Sequence, residues 1–234
     1  MRSRSLTWGP SITPTTGRHP EGSSGRGFFL VFEGVEGAGK TTQARRLTRR
    51  LESAGVRCLM AREPGGTQGG ERIRDVVLDP VLDLGPEAET LLYLASRAEF
   101  VRLIVRPALD EGRIVVADRY ELSTLAYQGI ARGLGLEKVR RLNSWATGGL
   151  EPDAMILLRI EPAAGRDRKE EEPDRLERES GEFFRRVAEA YDLLASKDTR
   201  IMAVDGQGSP EEIEQRVIAE LVGRWPGTFE VLRR

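Results

Sequence analysis

One cysteine and one histidine are all that the 234 residues hold of either type, and these two shortages remove several chemistries at once. Cys58 has no partner for an internal disulfide, and its place in the apolar run Val56 to Ala61 suits a small buried side chain better than a reactive thiol. His19 sits in a segment that cannot build a core, so imidazole acid–base catalysis and a histidine-rich metal site are both excluded. No stretch approaches the ~18 consecutive apolar residues of a membrane span. With a net charge of −1 and 31% charged residues, the chain has no global basic field for non-specific nucleic-acid binding. An Asn-Lys-x-Asp motif is missing too, so a GTPase switch fits poorly. The expectation is a protein of a reducing compartment, the cytoplasm, with neither membrane nor nucleic acid among its partners.

What is present begins at Phe28. Residues 1–27 carry Pro10, Pro14 and Pro20, with Arg2, Arg4, Arg18 and Arg26 against a lone Glu21. This composition predicts a disordered extension or an upstream start rather than a targeting signal, because the prolines interrupt any amphipathic helix and no apolar run suits secretion. From Phe28 onward strand-like and helix-like segments alternate, the pattern of an α/β fold with a largely parallel sheet. Strands are expected at Phe28 to Glu33, Val56 to Ala61, Ile114 to Ala117, Ala154 to Ile160 and Arg200 to Val204. Helices are expected at Thr41 to Ala54, as a short element after Gly70, as a long stretch from Pro86 to about Pro107, and at Leu122 to Ala131, Leu136 to Thr147, Gly181 to Ala195 and Pro210 to Val222. No repeat or second domain is evident. One domain therefore spans 28–224, with a highly charged segment at about 161–178 and a C-terminal tail at 225–234.

The chemistry concentrates where strands end, since ligands of open α/β sheets sit outside the carboxyl ends of the strands. After the first strand comes Gly34, Val35, Glu36, Gly37, Ala38, Gly39, Lys40, Thr41, Thr42, which satisfies G-x-x-x-x-G-K-[ST]. In that pattern backbone N–H groups and a helix N-terminus cradle phosphates, the lysine reaches the β/γ oxygens, and the hydroxyl of Thr41 is offered to Mg²⁺. After the second strand Arg62 precedes a sharp Pro64-Gly65-Gly66 turn. It is either a surface strand-end arginine or, with Arg119 from the next strand end, part of a grip on a second phosphoryl group. Asp118 is either a strand-end cap or the acid that holds Mg²⁺ or its water. Two phosphate-bearing ligands meeting at one loop suggest phosphoryl transfer. Tyr93 and Tyr127 read, on periodicity alone, as core residues of amphipathic helices.

GVEGAGKTT, REPGGT, the arginine of LASRAE, DRYELSTLAYQG and DRLE occur in an order and spacing that resembles bacterial thymidylate kinase, over about Phe28 to Val222. The resemblance implies a three-layer P-loop fold with a five-stranded parallel sheet flanked by helices, a short mobile lid at about 161–178, and a homodimer formed through the long helices. It implies ATP and dTMP as substrates, Mg²⁺ as cofactor, and dTDP as product. A kinase of another nucleotide or small phosphate ester, or a nucleotide-binding relative weakened in catalysis, is the alternative. By the same resemblance Arg62 and Arg119 grip the dTMP phosphate and Glu36 sits by the sugar 3′-OH. Tyr93 lies against thymine, Arg97 donates to a thymine carbonyl, Thr124 meets the base edge and Tyr127 crowds the 2′ position. Lys40, Arg62, Arg119 and the lid arginines Arg168 and Arg175 are the expected catalytic cations, and Thr41 and Asp118 the metal-side oxygens. Two departures accompany these matches. Leu158-Arg159-Ile160 stands where the family has Leu-Asp-Val, and the lid, with Glu170, Glu171 and Glu172, is short of the arginines expected when the phosphate loop carries Gly37. Slower catalysis than in a typical family member is the resulting expectation.

Overall fold

A strand covered on both faces needs side chains that avoid water at every position, and Phe28–Glu33 (β1) meets that demand, being buried throughout from Phe29. The computed structural model describes residues 26–166 and 174–233. After β1 follow α1 (Lys40–Ser53), β2 (Cys58–Arg62), α2 (Gln68–Leu78) and α3 (Pro86–Phe100). The helix of α3 passes through a π-helical turn, Val101–Val105, into α4 (Arg106–Asp110). Pro107, which has no N–H to give to a preceding turn, enters there without ending the run. Then come β3 (Ile114–Asp118), the short α5 (Glu121–Thr124) that continues as the π-helical segment Leu125–Ala131, and α6 (Leu136–Thr147). The chain closes with β4 (Ala154–Arg159), α7 (Pro162–Arg166), α8 (Gly181–Ala195), β5 (Ile201–Asp205), α9 (Pro210–Arg224), α10 (Pro226–Phe229) and a 3₁₀ turn, Glu230–Arg233.

The strands form one all-parallel sheet in the order β2-β3-β1-β4-β5, flanked by helices. Arg62 lies opposite Asp118 and Asp118 opposite Phe32, so β1, β2 and β3 finish level and deliver their end residues along one rim. Helices α1 and α9 pack on each other and on the sheet, while the segment Glu121–Ala131 packs with α6 and α8.

Several boundaries differ from the sequence reading for local reasons. The short helix expected after Gly70 starts at Gln68, because the Thr67 side chain accepts from the Gly70 N–H and caps the helix ahead of the glycine. The helix expected over Leu122 to Ala131 changes from α to π at Leu125. Residues 225–234, read as a tail, are folded onto the domain as far as they are described. Phe229 and Leu232 are core residues, and the rings of Trp225 and Phe229 meet Phe28 edge-on at 5.5 and 5.2 Å. Cys58 is buried as expected, and burial pushes its thiol up to about 12.

Candidate functional site

The apolar strand β1 breaks into glycines because the next nine residues must turn inside a narrow loop. Gly34, Gly37 and Gly39 take φ of 141°, 71° and 90°, which side chains with a Cβ adopt only under strain. Gly37 has a second constraint: a Cβ there would lie 1.9 Å from the carbonyl oxygen of Gly165, so α7 rests on the loop glycine to glycine. The turn delivers Lys40 to the N-terminus of α1, where its Nζ donates to the Val35 carbonyl at 2.8 Å. Burial, then the Arg119 charge, bring this ammonium down to about 8 against the pull of Glu36, Asp118 and Glu33. The Thr41 hydroxyl donates to the Asp118 carboxylate. Two hard oxygens held together at the mouth of a phosphate loop suit Mg²⁺, which takes one or two protein ligands and fills its shell with phosphate and water. No group of three or more His, Cys, Asp or Glu side chains suited to a metal occurs among the described residues.

From this loop a cleft of about 640 Å³ runs in both directions along the rim of the sheet. One end is walled by Gln43, Gly208, Pro210 and Ile213; Gln43 donates to the Pro210 carbonyl at 2.9 Å and its Oε1 is buried without a partner among the described residues. Towards the other end lie Arg62, Arg74 and Arg119. Arg62 donates to Glu71 at 2.8 Å, and Arg74 to the Pro64 carbonyl at 3.1 Å. The Glu63–Pro64 peptide is cis. Arg119 is the one non-glycine residue with positive φ (72°) among the described residues. Its guanidinium bonds the Glu36 carboxylate, the Gly34 carbonyl at 3.1 Å and Ser123 Oγ at 2.8 Å. Such a backbone persists only where its surroundings over-determine it, and Glu33 supplies much of that determination. Wholly buried, Glu33 accepts from the N–H groups of Tyr120 (2.9 Å) and Ser123 (3.3 Å) and from the Ser123 hydroxyl. Burial pushes its carboxyl upward.

The far end of this arm is built by one face of α3, on which Glu89, Tyr93 and Arg97 follow at four-residue intervals. The Arg97 side chain is 2% exposed. Its Nε donates to both Glu63 oxygens (2.7 and 2.9 Å), Nη1 to Asn143 (2.7 Å), and Nη2 to the Tyr120 carbonyl and the Thr124 hydroxyl (3.0 and 2.9 Å). Burial raises the Glu63 carboxyl to about 7 even with this guanidinium against it. Across the cleft stand Thr124, Tyr127 and Gln128. The Tyr127 hydroxyl is buried without a partner among the described residues, and its ring lies 5.6 Å from the Arg119 guanidinium.

The expected residues therefore gather in one cleft: Glu36, Lys40, Thr41, Arg62, Tyr93, Arg97, Asp118, Arg119, Thr124 and Tyr127 all line it. From the lid segment, Asp174, Leu176 and Glu177 line the cleft as well, but no described arginine of that segment does. Arg168 and Glu170 to Glu172 lie outside the described residues. Arg175, expected as a catalytic cation, is not on the cleft wall; it donates to Glu89 at 2.6 Å and to the Val77 carbonyl at 2.9 Å. Arg159 corrects the sequence reading in a second way. β4 is buried as far as Leu158 and opens at its last residue, so the Arg159 side chain is half-exposed and pairs with Asp192, outside the cleft. Glu33, Glu63, Arg74, Glu89, Ser123, Gln128 and Asn143 were not read as site residues. Glu63, inside the REPGGT motif, and Ser123 and Gln128, inside DRYELSTLAYQG, carried a local signal; the others did not.

The family profile described as thymidylate kinase matches residues 32–217. A thymidylate kinase of Deinococcus radiodurans is 45% identical over 202 residues, covering 85% of this chain and 98% of that protein. One from Synechococcus sp. is 47% identical over 201 residues (85% and 96%), and one from Halothermothrix orenii 41% over 203 residues (85% and 98%).

Proposed function

Because the chain belongs to the thymidylate kinase family, we propose that its cleft transfers the γ-phosphoryl group of ATP to dTMP, giving ADP and dTDP. The observation that carries this reading is the continuity of the cleft, from the phosphate loop at Lys40 past Arg62 and Arg119 to Arg97. The loop residues Gly34 to Thr42 hold the ATP phosphates through backbone N–H groups, and Lys40 neutralises the β/γ oxygens. Thr41 and Asp118 hold Mg²⁺, which neutralises charge on the triphosphate when bound. Arg62 and Arg119 exchange their present carboxylate partners, Glu71 and Glu36, for the dTMP phosphate. A dTMP phosphate oxygen attacks the γ-phosphorus in line, a new P–O bond forms, and the bond to the β–γ bridging oxygen breaks. No general base is needed, because the attacking group is already an anion.

At the acceptor end Glu36 takes the sugar 3′-OH, Tyr93 lies against the base, and Arg97 and Thr124 address its edge. The Tyr127 ring fills the space a 2′-hydroxyl would need, where its own hydroxyl has no partner among the described residues. Val76 on α2, Leu91 on α3 and Trp145 on α6 are exposed at 42%, 58% and 84%, and we assign these long helices to a homodimer interface. The family reading also puts the protein in the cytoplasm. A coupled ADP-release assay with dTMP, dUMP, dGMP and dCMP is expected to give turnover with dTMP foremost. Silence with all four would overturn the proposal.

A further inference from the structure

Glu89 is a wholly buried carboxylate that the transfer itself does not use. It projects from α3 one turn before Tyr93 and binds three side chains: Gln128 at 2.7 Å, Arg132 at 3.2 Å and Arg175 at 2.6 Å. Arg132 is held in turn by Glu179 at 2.6 Å and by the face of Phe183, its guanidinium carbon 4.6 Å from the ring centre. Arg175 is fixed by the Val77 carbonyl through its side chain and by the Leu78 carbonyl through its backbone N–H. Two arginines with so many other attachments keep a charge at the base end of the cleft that would otherwise be costly to bury.

An ionised carboxylate can only accept, so the group that Gln128 turns towards Glu89 must be its NH₂. The amide oxygen is thereby left over. It has no hydrogen-bond partner among the described residues and is not sealed from the cleft that Gln128 lines. Opposite, Arg97 commits one Nη1 hydrogen to Asn143 and keeps the other. The pocket thus presents an acceptor beside a donor. An imide edge, N3–H next to a carbonyl, matches both; the cytosine edge, a bare N3 beside an amino group, opposes both.

We propose that Glu89 is a positioning residue for base selection: its carboxylate orients the Gln128 carboxamide so that the oxygen faces the cleft and takes the N3–H of a thymine-type base. Arg175, with Arg132, serves by holding Glu89 and does not contact the transferred phosphoryl group. This inference rests on the kinase reading above and sharpens its acceptor site.

The test is steady-state kinetics on the full chain, beginning with the wild type. Absence of dTMP turnover there would sink the kinase reading itself. With the wild type active, E89Q offers Gln128 a neutral amide and frees its carboxamide to turn. The expected result is a KM for dTMP raised about tenfold or more, the size of one lost hydrogen bond in a buried site. The KM for ATP should stay within twofold, and the preference for dTMP over dCMP in kcat/KM should fall by a similar factor. A merely structural role would lower the melting temperature without moving that preference, and a preference within twofold of wild type would overturn the proposal. If E89Q does not fold, Q128M, which leaves Glu89 and its arginines in place, decides on the same two readings. R175M should move the dTMP KM in the same direction; a collapse of kcat at unchanged KM would restore Arg175 to phosphate binding and refute its assignment here.

Discussion

Lys40 shows how far a single side chain departs from its ordinary behaviour when the fold closes round it. Its ammonium is the form that binds phosphate, and burial together with Arg119 lowers it from 10.5 to about 8. A depressed lysine is lost on the alkaline side sooner than a free one. kcat/KM for ATP, which reports the free enzyme, should therefore decline above about pH 8. The nucleotide phosphates are fully ionised by then, their last pKa being ~6, so the alkaline limb belongs to the protein. A profile that stays flat to pH 10 would contradict this. At this scale the sequence was most informative where function and chain order coincide. Arg62, Asp118 and Arg119 were legible because each follows directly on a strand. Their partners Glu33, Glu71 and Ser123 were less so: a carboxylate at a strand end, as Glu33 is, looks the same whether it binds a ligand or props a neighbour, and Glu71 and Ser123 lie inside helices. Arg175 illustrates the converse: its motif identified the residue, but only the fold reveals that its guanidinium turns to Glu89.

Elements were legible where one face is apolar and the ends are capped. Helix α9, with its Ser209–Glu212 capping box, and helices α6 and α8 begin where the pattern put them. The two π-helical segments were not, because hydrophobic spacing cannot distinguish a local widening from a continuous α-helix. The second of these carries Tyr127 and Gln128 into the cleft. The contact of α7 on the phosphate loop was equally invisible, arising from two glycines far apart in sequence. It explains why Gly37 bears no side chain here. Gly37→Ala should cost ~1–2 kcal/mol from its left-handed backbone alone, and the Cβ must also displace α7 from Gly165. The measurable outcome is a lower melting temperature with a KM for ATP raised several-fold. An unchanged KM would mean that α7 does not support the loop.

At the scale of the whole molecule, the five-stranded parallel sheet followed from the alternation of runs, but closure by the last residues did not. Phe229 is fully buried against Phe28, and Phe229→Ala should cost ~3–5 kcal/mol, as for other large aromatic deletions in cores. Thermal denaturation would show this as a drop of several degrees; a change under 1 °C would mean that the segment is only loosely attached. The contact between these rings has a further consequence for how the protein comes into being. β1 precedes the other four strands of the sheet in the chain, yet it lies in the middle, between β3 and β4. The ring of its first residue, Phe28, meets those of Trp225 and Phe229, which follow all five strands in the chain. A growing chain must therefore carry this apolar strand unpaired until Ile114 and Ala154 have followed, and Phe28 without its two aromatic neighbours until Trp225 and Phe229 have been added. Chaperone dependence should thus be greatest in nascent chains that stop short of Trp225.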